Sequence, residues 1–138
     1  MRFKSVVCVD IFLRKGEEFL LMRRQNTKSH DGEFELPGGH LEEGEDLVDT
    51  IIREAKEELE LNLKREDLHL IHIMHHYNKG RLNFIYEADA SNLNPIIGEP
   101  EKCSELRWVT FDSIPEETTP KVKQILQNIK EKSLYDTR

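Results

Sequence analysis

The sequence predicts an α/β chain in which a mixed β-sheet is sandwiched between helices, and three observations carry that reading. β-rich runs bounded by turn residues recur along the chain, one mid-chain segment and one near the end carry apolar residues at helical spacing, and the two kinds of segment are interspersed. At 138 residues the chain suits one domain, residues 1–138, with one core. It contains no internal repeat and no low-complexity tract.

In chain order, "VVCVDIFL" alternates and places Val7, Val9, Ile11 and Leu13 on one side. "RKGEE" then turns the chain into "FLLMRR", so the two runs form a hairpin. "NTKSHDGE" is a polar loop, "FELP" a short extended piece and Gly38-Gly39 a turn. A helix follows. "HLIHIMHHY" and "RLNFIYEAD" are strands joined by "NKG", where Gly80 takes positive φ. "SNLNPIIGEPEKCSE" is a loop and "LRWVTF" a further strand. Thr119 and Pro120 fit the N-cap and first position of a closing helix, whose Val122, Ile125, Leu126 and Ile129 form an apolar stripe.

Charge and composition narrow the function. A formal net charge of −7 argues against general affinity for nucleic acid, which depends on basic side chains neutralising phosphates. A phosphorylated small molecule remains open provided something cationic helps to bind it. The N-terminal stretch lacks the apolar run and cleavage site of a signal peptide, and no stretch reaches membrane-spanning length, so the expectation is a cytoplasmic protein without a membrane partner. Cys8 and Cys103 lie far apart without CxxC spacing, and both read as reduced thiols.

The segment "GGHLEEGEDLVDTIIREAKEELEL", residues 38–61, is rich in acidic side chains yet patterned as an amphipathic helix. At about 100° per residue, Leu47, Val48, Ile51, Ile52, Ala55 and Leu59 share one arc, which must face the core. A merely solvated acidic face would lie opposite that arc. Glu57 does, but Glu54 falls at its edge and Glu58 within it. These three glutamates are surface neighbours at i, i+3 and i+4, where like charges repel by a few tenths of a kcal/mol per exposed pair. Such a cluster wants a cation, and oxygen donors without His or Cys favour Mg²⁺ or Mn²⁺ over zinc. Geometry alone leaves two readings open, a metal site and an incidental glutamate-rich helix.

The same residues carry a resemblance. Gly39, five residues, Glu45, seven residues and then "REAKEELEL" from Arg53 to Leu61 resemble the Nudix box, GX5EX7REUXEEXGU with U aliphatic. The box spans residues 39–61, and a chance match in a chain of this length is on the order of one in a million or rarer. "GEFELPGG", the hairpin, "ELRWVTFDSIP" and the final helix follow the order of a small MutT-like member, which implies one Nudix domain over the whole chain. The sequence departs from the box at Glu60, where the family has glycine. That position falls at the helix end, where glycine readily takes a left-handed cap, so the departure is expected to shift the cap, for example to Asn62.

The resemblance implies roles residue by residue. Glu54, Glu57 and Glu58 ligate a divalent metal, Mg²⁺ or Mn²⁺, with the carbonyl of Gly38 or Gly39 able to contribute. Arg53 orients the carboxylates by charge-assisted hydrogen bonds. Glu45, placed on the first helical turn, takes a catalytic or supporting role. The base that activates water is left open among Glu57, Glu58 and Glu105, the last corresponding by its place before Trp108 to a loop glutamate that some relatives use. Arg23 and Arg24 end a strand and point to opposite faces, so one reaches the phosphates, and the MutT-like alignment favours Arg24.

Other features carry less. His69, His72, His75 and His76 do not share one strand face, which argues against zinc. Trp108 reads as a core side chain, and Tyr77 sits only inexactly where dinucleoside-polyphosphate hydrolases carry a tyrosine. The downstream proline of ADP-ribose hydrolases and the "SQPWPxPxS" array of the NADH class are both missing, which lowers those substrates. A base pocket is expected from the first strand and the "NTKSHDGEFE" and "NPIIGEPEKC" loops, where one sequence offers no code to read.

Two classes of function therefore stand. One is a metal-dependent hydrolase of the phosphoanhydride in a nucleoside diphosphate linked to another moiety, foremost a (deoxy)nucleoside triphosphate giving the monophosphate and pyrophosphate, with ADP-ribose or an NDP-sugar as the alternative substrate. The other is a nucleotide-binding regulator without turnover. The partner is a small-molecule nucleotide, and the chain is a monomer or homodimer.

Overall fold

β1 (Val6–Lys15) organises the structure, because both of its faces are apolar and both of its edges are paired. The computed structural model describes residues 1–138. β1 turns into β2 (Glu18–Arg24), and β3 (Phe34–Glu35) and β4 (Gly38–His40) follow. The first helix, α1, runs Leu47–Leu59. β5 (His69–His76), β6 (Arg81–Asp89) and β7 (Cys103–Val109) precede α2 (Pro120–Lys130), and a short β8 (Tyr135–Thr137) closes the chain.

The sheet is mixed, with order β3-β2-β1-β6-β5-β8. β1 runs parallel to β6 from Val6↔Arg81 to Arg14↔Asp89, and β5 pairs antiparallel with β6. The β1–β2 hairpin is joined only near its turn, at Arg14↔Phe19 and Lys15↔Glu18. Beyond that point the strands part. β4 takes the edge of β1 at Cys8–Asp10, β3 takes β2 at Met22–Arg23, and β7 lines the other side of β2. That separation opens a cleft between the two halves of the sheet.

The apolar interior is divided by the sheet into two clusters, where the sequence was read as having one core. Val9, Ile11, Leu13, Leu20 and Met22 pack with Ile51, Ala55 and Leu59 of α1 on one face. Phe12, Phe19, Leu21, Met74 and Ile85 pack with Val122, Ile125 and Leu126 of α2 on the other. The physical reason is the period-2 alternation of β1 and β2, which sends apolar side chains to both faces of a central pair. The sandwich of sheet between helices is as expected. α2 begins where Thr119 and Pro120 place it, with the Thr119 hydroxyl accepting from the Val122 N–H at 3.4 Å.

Four local readings change. Gly38-Gly39 is a strand rather than a turn, since neither glycine has positive φ and both pair with β1. Glu45 lies just before α1 instead of on its first turn, because Asp46 is the N-cap and forms a capping box with Asp49. β7 begins at Cys103, which moves Cys103–Glu105 out of the preceding loop, and it ends at Val109. Glu60 is itself the left-handed cap, at φ 54° and ψ 39°, with its N–H turned back to the Lys56 carbonyl, so the cap does not move to Asn62.

A glutamate in that conformation is strained where a glycine is not. Replacing it, Glu60→Gly, is expected to stabilise the fold by about 1 kcal/mol in urea unfolding. A destabilised variant would show that the Glu60 side chain holds the helix end in some other way.

Candidate functional site

The cleft meets α1 at β4. Gly38 and Gly39 are needed there because they have no side chains: a Cβ on Gly38 would overlap the Val9 carbonyl, and one on Gly39 would overlap the Glu54 carboxylate. This close approach lets the Gly38 N–H donate to Glu58 Oε1 at 2.9 Å. Glu58 also lines the cleft, although it projects from the side of α1 nearest the apolar arc.

Burial and then the adjacent Glu54 push the Glu58 carboxyl up to about 9, against the help of the Gly38 N–H. Burial also raises Glu54, opposed by Arg53. The two carboxyls therefore resist ionising as they stand, which is the signature of negative charge that lacks a sufficient counter-charge.

Arg53 is the hub of the remaining acids. Its Nε donates to Glu45 Oε2 at 2.6 Å and its Nη1 to Glu54 at 2.7 Å and Glu57 at 3.3 Å, while Nη2 reaches the His40 carbonyl at 3.0 Å. Glu45 additionally accepts from the Thr50 hydroxyl at 3.0 Å. The Arg53 guanidinium holds the Glu45 carboxyl down at about 2. Glu45, Arg53, Glu54, Glu57, Glu58, Gly38 and Gly39 are thus brought together, with Glu57 the most exposed of the three helix glutamates.

The donors fit a hard divalent cation in kind, being carboxylate and backbone carbonyl oxygens beside a backbone segment stripped of side chains. They do not form a preformed cage, since no three of the acidic, His or Cys side chains converge as ligands. The Arg53 and Gly38 hydrogen bonds account for this by holding Glu54, Glu57 and Glu58 in separate directions.

Arg23 and Arg24 both border the cleft and keep to opposite faces of β2, as expected, Arg23 over the Phe34 ring and Arg24 against Glu35, the next residue of β3. The β2–β7 ladder shifts register between these two residues. Arg23 donates to the Gly32 carbonyl at 2.8 Å, and Arg24 pairs with Glu35 at 2.7 Å while its Nε is buried without a partner. Glu105 stands apart, on a strand rather than a loop, paired with Arg107 at 2.7 Å and Arg23 at 3.7 Å and not lining the cleft. Trp108 packs at the edge of the α1-side cluster, under the Lys15 ammonium. Tyr77 is exposed in the turn after β5, and Cys8 and Cys103 are buried free thiols.

Three cleft residues escaped the sequence. Glu99 arrives beside Glu58 and Glu54 because its loop caps α1: the Ile96 and Gly98 N–H groups donate to the Leu59 and Glu58 carbonyls at 3.0 and 2.8 Å. Gly98 is the available signal, since a Cβ there would overlap the Glu57 carbonyl. On the cleft floor, Asn83 Nδ2 donates to Asp10 Oδ2 at 2.8 Å, and Asn83 Oδ1 is buried without a partner. Burial raises the Asp10 carboxyl. An aspartate inside the apolar run "VVCVDIFL" was the sign of this pair.

Comparison with known proteins is consistent with this geometry. A family model, the NUDIX domain, matches residues 1–129, and the chain belongs to the Nudix family. A NAD-capped RNA hydrolase, NudC, of Pectobacterium atrosepticum is 26% identical over 113 residues, 82% of this chain and 42% of that protein. An ADP-ribose pyrophosphatase of Methanocaldococcus jannaschii is 40% identical over 62 residues, 45% of this chain and 36% of its own length. This chain thus spans less than half the length of these curated relatives. The crystal structure of a MutT NUDIX hydrolase from Burkholderia pseudomallei has a TM-score of 0.78 at 25% identity, covering 90% of this chain and 97% of that one. No helix is long and apolar enough to cross a membrane.

The Glu58 environment has a measurable consequence in the absence of metal. Its folded pKa lies above that of an unfolded glutamate, so the stability tied to its proton is fully present below pH 4.5 and is lost as pH rises toward about 9. In EDTA, stability is expected to fall across that window, and Glu58→Gln to flatten the fall in part, Asp10 contributing with the same sign. Identical pH profiles for the two proteins would contradict the buried-acid assignment.

Proposed function

We propose that this chain, acting as one Nudix unit, is a pyrophosphohydrolase that cleaves a phosphoanhydride in a nucleoside diphosphate linked to another moiety, with Mg²⁺ or Mn²⁺ as cofactor. The observation that carries this is the pair of half-buried, charge-resisting carboxyls, Glu54 and Glu58, against the side-chain-free Gly38-Gly39 strand at the cleft. A binder without turnover has less reason to keep all three glutamates of this cluster.

Glu54, Glu57, Glu58 and the Gly39 carbonyl would hold the cation, which supplies charge neutralisation on the phosphate oxygens and a more acidic water. Arg53 keeps Glu54 and Glu57 aimed, and Glu45 fixes Arg53 by two hydrogen bonds, at 2.6 and 3.1 Å. Arg23 and Arg24 face the phosphates across the cleft, while Asp10 and Asn83 on its floor offer polar contacts to the nucleoside. Water attacks one phosphorus, the bond to the bridging oxygen breaks, and the other phosphorylated fragment leaves with that oxygen. Glu57 takes the water's proton, being the most exposed of the glutamates and held by Arg53 only at 3.3 Å.

A (deoxy)nucleoside triphosphate is the first substrate reading, supported by the resemblance to MutT-like chains. ADP-ribose or an NDP-sugar is the second, supported by the similarity to an ADP-ribose pyrophosphatase. Product release from a panel of these compounds in Mg²⁺ or Mn²⁺ separates them.

Glu57→Gln is expected to keep the fold and to lower kcat by roughly 10²–10⁴, the range for loss of a general base. Glu105→Gln, removing a strand side chain paired to two arginines, should cost far less. A folded Glu57→Gln protein turning over near the wild-type rate would remove Glu57 from the chemistry, and an equal loss in Glu105→Gln would bring Glu105 into it.

A further inference from the structure

In a chain of net charge −7, one surface collects positive charge. Beside the cleft lies a basin into which Lys79, Arg81, Lys121 and Arg138 converge from the turn after β5, the start of β6, the start of α2 and the last residue. None of these four forms an ion pair, whereas Arg14, Arg23, Arg24, Arg53, Arg65 and Arg107 all do. The one side-chain carboxylate in the basin, Glu35, is already taken by Arg24 at 2.7 Å.

Two further features face the same space. Thr119 and Pro120, at the N-terminus of the 11-residue α2, line the basin and bring the positive end of the helix to it. His76, only 6% exposed, also lines it, and its buried Nε2 has no hydrogen-bond partner. Burial, and then the charges of Lys121, Arg138, Lys79 and Arg81, depress the His76 imidazole to about 4, with no acid among the causes. Its ring is therefore a neutral polar group, and an imidazole N–H there is available to an incoming acceptor.

The geometry points to a second anion subsite, in which Lys79, Arg81, Lys121, Arg138 and the His76 ring take a phosphate group distinct from the anhydride that is cleaved. Like charges gathered without counter-ions repel one another, and a dianionic phosphate offsets that repulsion while offering several acceptor oxygens to donors on different sides. The group is distinct from the cleaved one because Glu58, Gly38 and Gly39 line the cleft but not the basin. It is reachable from the cleft because Arg24, Glu35, His40, Arg81 and Lys121 border both. This deepens the hydrolase reading and rests on it for the placement of the cleaved anhydride: the favoured substrates carry a phosphate beyond that anhydride.

The test uses the whole chain in EDTA, so that binding is read without turnover. Inorganic phosphate is titrated against wild type and against Lys79→Ala/Arg138→Ala, two residues that border only the basin, while the His76 ring resonances are followed. The expected result is a saturable shift of His76 whose affinity falls about tenfold in the double variant, the loss of a charge-assisted contact. Adenosine 3′,5′-bisphosphate and AMP are then compared. A gain for the bisphosphate that disappears in the double variant identifies the phosphate as part of a substrate, and no gain beside intact phosphate binding identifies a free phosphate ligand of the same subsite. A His76 signal that ignores phosphate, or a response unchanged by the double variant, overturns the subsite. A chain that hydrolyses nothing yet shows the phosphate response would defeat the hydrolase reading and leave the subsite.

Discussion

The site depends on one close contact, that of the Gly38-Gly39 strand with α1. Only a backbone without Cβ atoms can lie both on β1 and against the Glu54 carboxylate. This contact fixes the distance between the acidic side of the helix and the cleft. It also recruits Glu58, whose Oε1 is tied to the Gly38 N–H. A side chain at Gly38 would collide with the β1 backbone, and one at Gly39 would displace the Glu54 carboxylate.

The electrostatics follow from that placement. Glu58 is drawn toward the core side of α1 and resists losing its proton, while Glu54 and Glu57 are restrained by a single arginine, which Glu45 anchors in turn. Burying acids without enough counter-charge costs stability, and a cation bound to the folded state returns it. The same logic holds with opposite sign in the basin at the start of α2, where cations stand unpaired. The molecule separates its charge, with acids on the α1 side of the cleft and cations on the α2 side.

Much of this was legible in the sequence because it rests on local periodicity. The apolar arc of α1, the position of Glu58 within that arc, the Thr119-Pro120 start of α2 and the spacing from Gly39 to Leu61 are all properties of neighbouring residues. What escaped depends on contacts between distant segments. Gly38-Gly39 reads as a turn unless the approach of β1 and Glu54 is known. Glu99 enters only because its loop caps α1, and the basin is assembled from four separate places in the chain. β8 was missed because three residues paired to β5 leave no periodic pattern. Glu60 shows the reverse case, in which a residue of the wrong type accepts the left-handed conformation that the helix end demands.

The central proposal is that Glu58, a carboxyl that resists ionising in the metal-free protein, gives up its proton when a divalent cation binds. Calorimetric titration with Mn²⁺ at pH 7, repeated in buffers of different ionisation enthalpy, measures that proton directly. Release of about one proton per metal bound, abolished in Glu58→Gln, is the expected result. Tight metal binding without proton release, or release undiminished in the variant, would contradict it.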